Sequence, residues 1–212
     1  MNGTELQEVL RKHKLWLRND DDGTCADLTD ADLKRANLTG ANLTGANLTG
    51  VNLSDADLTG ATLRYADLKG ANMRSANIAG ADLRSADLTG ANLTNANMTD
   101  ADLKRANLSD ADIAGADIAD ANLSDANMTG ANMRYANMTG ASGPFCTGYF
   151  GKHSAIAVGG YISIGCERHT YAEWLVQGEK IGKDNDYSSE EINDYMDWIK
   201  LAIRSLEREY PK

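Results

Sequence analysis

From Ala26 onward the chain repeats itself every five residues, without insertion or slip, as far as Gly140. Units start at every fifth position through Ala136, which makes 23 of them. The first position is Ala in 22 units and Val51 in the other, and the second is Asp or Asn in 22 and Thr62 in the other. The third is always Leu, Met or Ile, from Leu28 to Met138. Fourth positions are mostly Thr, Ser, Ala, Lys or Arg, and fifth positions mostly Gly, Asp, Ser, Arg or Tyr. A period of five fits neither the helical turn nor the two-residue alternation of a strand, so neither element keeps the apolar third positions together. A chain that turns a corner every five residues does. The third side chain then points inward with the small first-position Ala beside it, and stacked coils pair backbone with backbone. One unit cannot bury its own face, so stability has to come from stacking neighbours.

The pattern, as in Ala41-Asn42-Leu43-Thr44-Gly45 and Ala86-Asp87-Leu88-Thr89-Gly90, resembles the pentapeptide-repeat family over 115 of the 212 residues. The resemblance implies a β-solenoid, specifically a right-handed quadrilateral β-helix with four units per coil. At that count 23 units make 5.75 coils, a rod about 28 Å long at roughly 4.8 Å per stacked strand. The expected core is carried by Leu28, Leu43, Leu63, Leu83, Leu103, Leu123 and Met138.

A solenoid leaves its core and strand edges open at both ends, where caps are needed. Thr4-Glu5-Leu6-Gln7 reads as a capping box opening a helix with Leu6, Val9, Leu10, His13 and Trp16 on one stripe, stopped by Asn19 to Gly23. Residues 1–25 are thus an N-terminal helical cap and 26–140 the repeat. Residues 141–212 form a C-terminal capping and oligomerisation segment, which opens with the breaker cluster Ser142-Gly143-Pro144. In it, residues 155–158 and 161–164 read as a β-hairpin around Gly159-Gly160. Thr170-Tyr171-Ala172-Glu173 opens a short helix with Trp174, Leu175 and Ile181, and Ser188-Ser189-Glu190-Glu191 opens the longest one. The tail looks like those of some phage and bacterial members of the family, a likeness that adds no activity.

The chemistry-bearing residues are sparse. Cys146, His153, Cys166 and His169 are zinc-ligand types, and Cys166-x-x-His169 has ligand-like spacing. The set is not a standard finger pattern, and a buried thiol with a capping imidazole explains it equally, so no metal and no cofactor are expected. The Asp and Asn of the second position interchange freely around the coil, which suits side-chain hydrogen bonds to turn backbone rather than charge-dependent catalysis. No catalytic residues emerge, and the chain is read as not an enzyme.

Sorting units by face says more. Those starting at 31, 51, 71, 91, 111 and 131 share one face, with Lys34, Arg35, Arg74, Arg134 and Tyr135. Those starting at 41, 61, 81, 101 and 121 share the opposite face, with Arg64, Tyr65, Arg84, Lys104 and Arg105. The other two faces are rich in Thr, Gly and Asp, with Asp30, Asp110, Asp100 and Asp120 at fifth positions. The whole chain carries 21 Lys and Arg against 31 Asp and Glu, a net charge of −10. Such a surface repels nucleic acid and anionic membrane, so direct nucleic-acid binding is not expected. No apolar run approaches the roughly 20 residues of a membrane span. Three cysteines form no disulfide framework, which together with the absence of a secretory leader gives the expectation of a cytoplasmic protein.

The expected function is a non-catalytic protein-interaction or structural scaffold built on a charge-striped β-helix, its protein partner unidentified. Surplus apolar residues on the last helix, namely Trp198, Ile199, Ala202, Ile203 and Leu206, point to a homodimer through the C-terminal segment. The alternative is a DNA mimic that modulates a type II topoisomerase or other DNA-binding enzyme. Family members of that kind favour Phe at the inward position and carry loops, whereas this chain has Leu, Met and Ile and no loop.

Overall fold

A computed structural model of the chain describes residues 1–128, 130–133, 135–139, 141, 146–150, 153–158, 161–164 and 167–209; for 146–168, 171, 198, 201, 202 and 204–209 this is backbone only. One unit shows how the repeat closes. In residues 81–85 the Leu83 N–H donates to the Asp102 carbonyl at 2.8 Å, and the Asp102 N–H donates back to the Ala81 carbonyl at 2.9 Å. The Ser85 N–H reaches the Lys104 carbonyl at 3.0 Å, and the Ala86 N–H closes a turn onto the Leu83 carbonyl at 3.0 Å. The turn's third residue is Ser85 with φ 56°, the positive φ that type II turns require. Every described fifth position from Asp30 to Tyr135 has this conformation, whether Gly or not. Gly is therefore the unstrained choice there rather than an obligatory one.

The second position stabilises the same turn. Asp87 Oδ1 accepts from the Thr89 backbone N–H at 3.1 Å and from its hydroxyl at 2.5 Å, and most units repeat the first of these bonds. The Asx side chain thus holds the turn, as its free exchange between Asp and Asn implied. Thr89, a position the pattern leaves outward and solvated, also accepts from Asn107 Nδ2 at 2.9 Å. Its hydroxyl is a link between coils.

Parallel bridges join each second position to the one twenty residues on, from Asp27↔Asn47 to Asp117↔Asn137. With five-residue units this is four units per coil. Leu43, Leu63, Leu83, Leu103 and Leu123 are stacked in one column by it and are nearly or wholly inaccessible. Leu28 heads a second column and Met138 ends a third, both buried. The first-position Ala residues fill the lumen beside them.

Helix α1, Gly3–Trp16, covers the N-terminal end. Its cap is Asn2, not Thr4: Asn2 Oδ1 accepts from the Glu5 N–H and Glu5 Oε2 from the Asn2 N–H, both at 2.9 Å. Asn2 can reach the third helical N–H from outside the helix, while Thr4 already lies within it. Leu6 and His13 are buried on the first coil, and Nδ1 of His13 accepts from the Ala26 N–H at 3.0 Å. Trp16 stacks on His13 with ring centroids 5.4 Å apart and stays 41% exposed.

The C-terminal segment holds more than a hairpin. Strands β1 (Cys146–Phe150), β2 (His153–Val158), β3 (Tyr161–Ile164) and β4 (Glu167–Thr170) form an antiparallel sheet in sequence order. The central hairpin pairs residues 155–158 with 161–164, as the runs flanking Gly159-Gly160 in the sequence predict. β1 and β4 were missed because Cys146–Phe150 and Glu167–Thr170 lack a clear two-residue alternation. Helix α2, Tyr171–Asp184, follows with the Thr170/Glu173 capping box, and α3, Ser189–Glu209, with reciprocal Ser188 and Glu191 bonds. The helices pack closely where a Cβ on Gly178 would strike Met196, and one on Gly182 would strike Ile192. Trp174 and Ile181 are buried, whereas Leu175 is 48% exposed. Among the described residues no helix is long and apolar enough to cross a membrane.

Candidate interaction faces

The four-unit coil turns side chains into columns spaced by one coil. Within a column, Asn usually meets Asp: Asn52 Nδ2 donates to Asp32 at 2.9 Å, Asn122 to Asp102 at 3.0 Å, and Asn137 to Asp117 at 2.9 Å. Among the described bridges only two stack Asp on Asp, namely Asp67↔Asp87 and Asp82↔Asp102. Each is served by a base from the fourth position. Lys69 Nζ lies 2.9 Å from Asp67 and 3.1 Å from Asp87. Arg84 lies 2.5 Å from Asp82 and 3.4 Å from Asp102. The repulsion of stacked carboxylates is thereby cancelled by a cation between them. The Arg84 bond, aided by its charge, holds the Asp82 carboxyl below its ordinary range against the opposing effect of burial. At Asp87 burial pushes upward, but hydrogen bonds from Thr89 and Lys69 outweigh it and the net direction is down. Lys69, alone among the repeat's bases in lying off the two basic-leaning faces, is thus placed between two stacked carboxylates.

On the face of units 31 to 131, Lys34 and Arg35 both approach Asp55 at 3.8 Å. The Tyr135 hydroxyl donates to Glu190, tying the last described coil to the start of α3. Arg134 lies outside the described residues. On the opposite face Arg64 lies over the Tyr65 ring, 5.5 Å from its centroid, and Tyr65 is 61% exposed. Lys104 and Arg105 are exposed there and, among the described residues, take part in no ion pair. The two remaining faces are smooth: Thr39, Thr59, Ala79, Thr99 and Ala119 follow one another along one of them.

The model for the family "Pentapeptide repeats (8 copies)" matches residues 26–64, 52–90, 66–105 and 106–142. The chain belongs to the pentapeptide-repeat family. Its fold is accordingly the right-handed quadrilateral β-helix that the bridges outline. This pentapeptide-repeat protein has similar solved structures. One is a pentapeptide-repeat protein of the Arabidopsis thaliana thylakoid lumen, 35% identical over 46% of this chain and 65% of that one, with a TM-score of 0.40. Another is HetL of Nostoc sp. strain PCC 7120, involved in heterocyst differentiation regulation, 34% identical over 58% of this chain and 62% of that one, TM-score 0.25. A third is a plasmid-mediated fluoroquinolone resistance protein, 16% identical over 56% of this chain and 66% of that one, TM-score 0.34. The chain spans about two thirds or less of the length of these relatives. Compared with curated proteins it has no match.

Of the four zinc-type residues of this pentapeptide-repeat protein, the structure sets His153 and His169 in different rows of the sheet. His153 pairs with Phe150 at one end of β2, while His169 pairs with Ile162, which pairs with Ala157 near the other end. Four residues along a strand separate the two rows, about 13 Å. His169 instead meets Trp174 edge-on, with centroids 5.3 Å apart. Cys166 and the side chains of Cys146 and His153 lie outside the described residues. Of the expected self-association residues, Ile199 and Ile203 are buried within the chain itself. The side chains of Trp198, Ala202 and Leu206 lie outside the described residues. Thr62 is the one departure from Asp or Asn at the second position of the repeat, and it leaves Arg64 without a carboxylate in its own unit.

Proposed function

We propose that this pentapeptide-repeat protein is a non-catalytic interaction module that presents flat, rigid, differently charged faces to a protein partner. The observation that carries the reading is the twenty-residue register: it locks each outward side chain into a column whose backbone cannot shift independently. Most second-position carboxylates and amides are already engaged in turns and ladders, which leaves the columns to act as surface rather than as acid–base groups. The test is capture of the partner from cells expressing the tagged full chain, with each face altered in turn. Lys104→Glu with Arg105→Glu changes one face, and Thr59→Lys with Ala79→Lys changes a smooth one. Loss of capture from a single face supports the module, and capture that is indifferent to every face overturns it.

A second reading, mimicry of DNA toward a type II topoisomerase, is favoured by the net charge of −10 and by the corner residues Asp30, Asp100, Asp110 and Asp120. A supercoiling assay with and without the protein decides it, since a mimic changes supercoiling at stoichiometric amounts. Self-association through the C-terminal segment stays part of the proposal. With Ile199 and Ile203 consumed internally, the large exposed apolar residues left for it among those described are Leu175 and Val176.

A further inference from the structure

Unit 61–65 departs from the rule that the other units obey, and unit 81–85, one coil on, shows what is missing. There Asp82 Oδ1 accepts from the Arg84 backbone N–H at 3.2 Å and from Nε at 2.8 Å, while Oδ2 accepts from Nη2 at 2.5 Å. Arg64 holds the equivalent fourth position, but its unit has Thr62 where Asp82 would stand. Its Nε is enclosed and has no hydrogen-bond partner. Asp82, the nearest stacked carboxylate, is bonded to Arg84 and meets Arg64 only through its charge. A buried donor left unmade is costly, and among the described residues only Arg64 Nε and His13 Nε2 are enclosed without a partner.

We propose that Arg64 anchors a docking patch for an acidic peptide segment of a partner protein, whose carboxylate meets the outer end of the half-buried Arg64 guanidinium. The proposal rests on the interaction-module reading above and specifies its face and partner chemistry. A guanidinium is a planar fork matched to a carboxylate, as the Arg84–Asp82 pair one coil on illustrates. The exposed Tyr65 ring beside it offers an apolar surface for the side chains that flank the carboxylate. Lys104 and Arg105 lie two coils along the same face, roughly 10 Å away, and supply a second cationic contact. A polynucleotide fits less well. Asp82, Asp102 and Asp125 share this face, so a strand with a phosphate on every nucleotide would meet acid as well as base. A peptide can place its carboxylates only where the bases are.

The test uses the full chain and a fluorescein-labelled hexaglutamate peptide, with binding followed by fluorescence polarisation at low salt. Thr62→Asp gives Arg64 a carboxylate from its own unit. It should weaken hexaglutamate binding by about tenfold or more, a change of about 1.4 kcal/mol or more, while the melting temperature stays equal or rises. Arg64→Gln should weaken binding comparably, and Arg64→Lys should not rescue it, because an ammonium lacks the fork. Lys34→Ser with Arg35→Ser, on the opposite face, should leave binding unchanged. The proposal is overturned if the wild-type chain fails to bind hexaglutamate, if Thr62→Asp binds it as well as wild type, or if a labelled oligothymidylate binds more tightly. Failure here, with partner capture still dependent on one face, removes the carboxylate site and leaves the module. Capture indifferent to every face removes the module whatever the peptide does.

Discussion

Truncating Leu83 to Ala tests how rigid the lumen is. Leu83 is wholly inaccessible, with Leu63 and Leu103 stacked on either side of it in the same column. The substitution removes three carbons, whose transfer to water is worth about 2.4 kcal/mol at about 0.8 kcal/mol each. The backbone around the gap is held by bonds of 2.8 Å to Asp102 and 3.0 Å from Ala86, neither of which involves the side chain. The coil therefore cannot collapse into the cavity, and the cavity cost adds about 1.5 kcal/mol. The expected loss is about 4 kcal/mol, the upper half of what buried Leu→Ala substitutions cost. Leu83→Met, which conserves volume and uses a residue the chain itself places at position 73 and elsewhere, should cost less than about 1.5 kcal/mol. Guanidinium unfolding followed by far-ultraviolet circular dichroism measures both. A loss below about 1.5 kcal/mol for Leu83→Ala, or equal losses for the two variants, would show that the lumen relaxes and refute the argument.

Lys69→Met leaves Asp67 and Asp87 stacked without their cation and removes one of the contacts that hold the Asp87 carboxyl down. Its melting temperature should fall below wild type at pH 7 and recover part of the gap as pH drops toward 4, because protonation relieves the repulsion; a gap that widens on acidification contradicts this. Burial pushes the His13 imidazole below its ordinary range, against an opposing effect of the Thr44 backbone. Its contribution is therefore complete above about pH 6.5 and lost as pH falls below that. Thermal melts of wild type should weaken between pH 7 and 5 more than those of His13→Gln, and parallel curves would dismiss the role of His13. Light scattering of the full chain at micromolar concentration should show a dimer that Leu175→Glu with Val176→Glu converts to monomer, whereas a monomeric wild type excludes it.

The rod was legible because each unit states its own geometry: Ala for the crowded lumen, Leu for the core, Asx for the turn. Both C-terminal capping boxes were equally readable, since Thr170/Glu173 and Ser188/Glu191 satisfy helix N–H groups through residues three apart. Less local facts escaped. Strand β4 is Glu-Arg-His-Thr, polar throughout, and owes its conformation to pairing with β3 rather than to pattern. The fate of Ile199 and Ile203 depended on how much of α3 the cap consumes, which periodicity alone does not give. For the candidate site, the basic and smooth faces followed from counting units. Why Lys69 stands on a smooth face, and what Thr62 leaves undone at Arg64, became visible only once the stacked partners were identified.

Everything said of faces and partners depends on four units per coil, and proximity of engineered cysteines tests that directly. In a chain with Cys25, Cys146 and Cys166 replaced by Ser, Ser75→Cys with Asn95→Cys puts thiols at corner positions twenty residues apart, one coil above the other. Their backbones should lie roughly 4.8 Å apart. Ser75→Cys with Ser85→Cys, ten residues apart, puts them on opposite faces. Dibromobimane, which fluoresces on bridging two adjacent thiols, should label the 75/95 pair strongly and the 75/85 pair no more than a single-cysteine chain. Bridging of the 75/85 pair, or none in the 75/95 pair, would contradict the four-sided coil and the faces drawn on it.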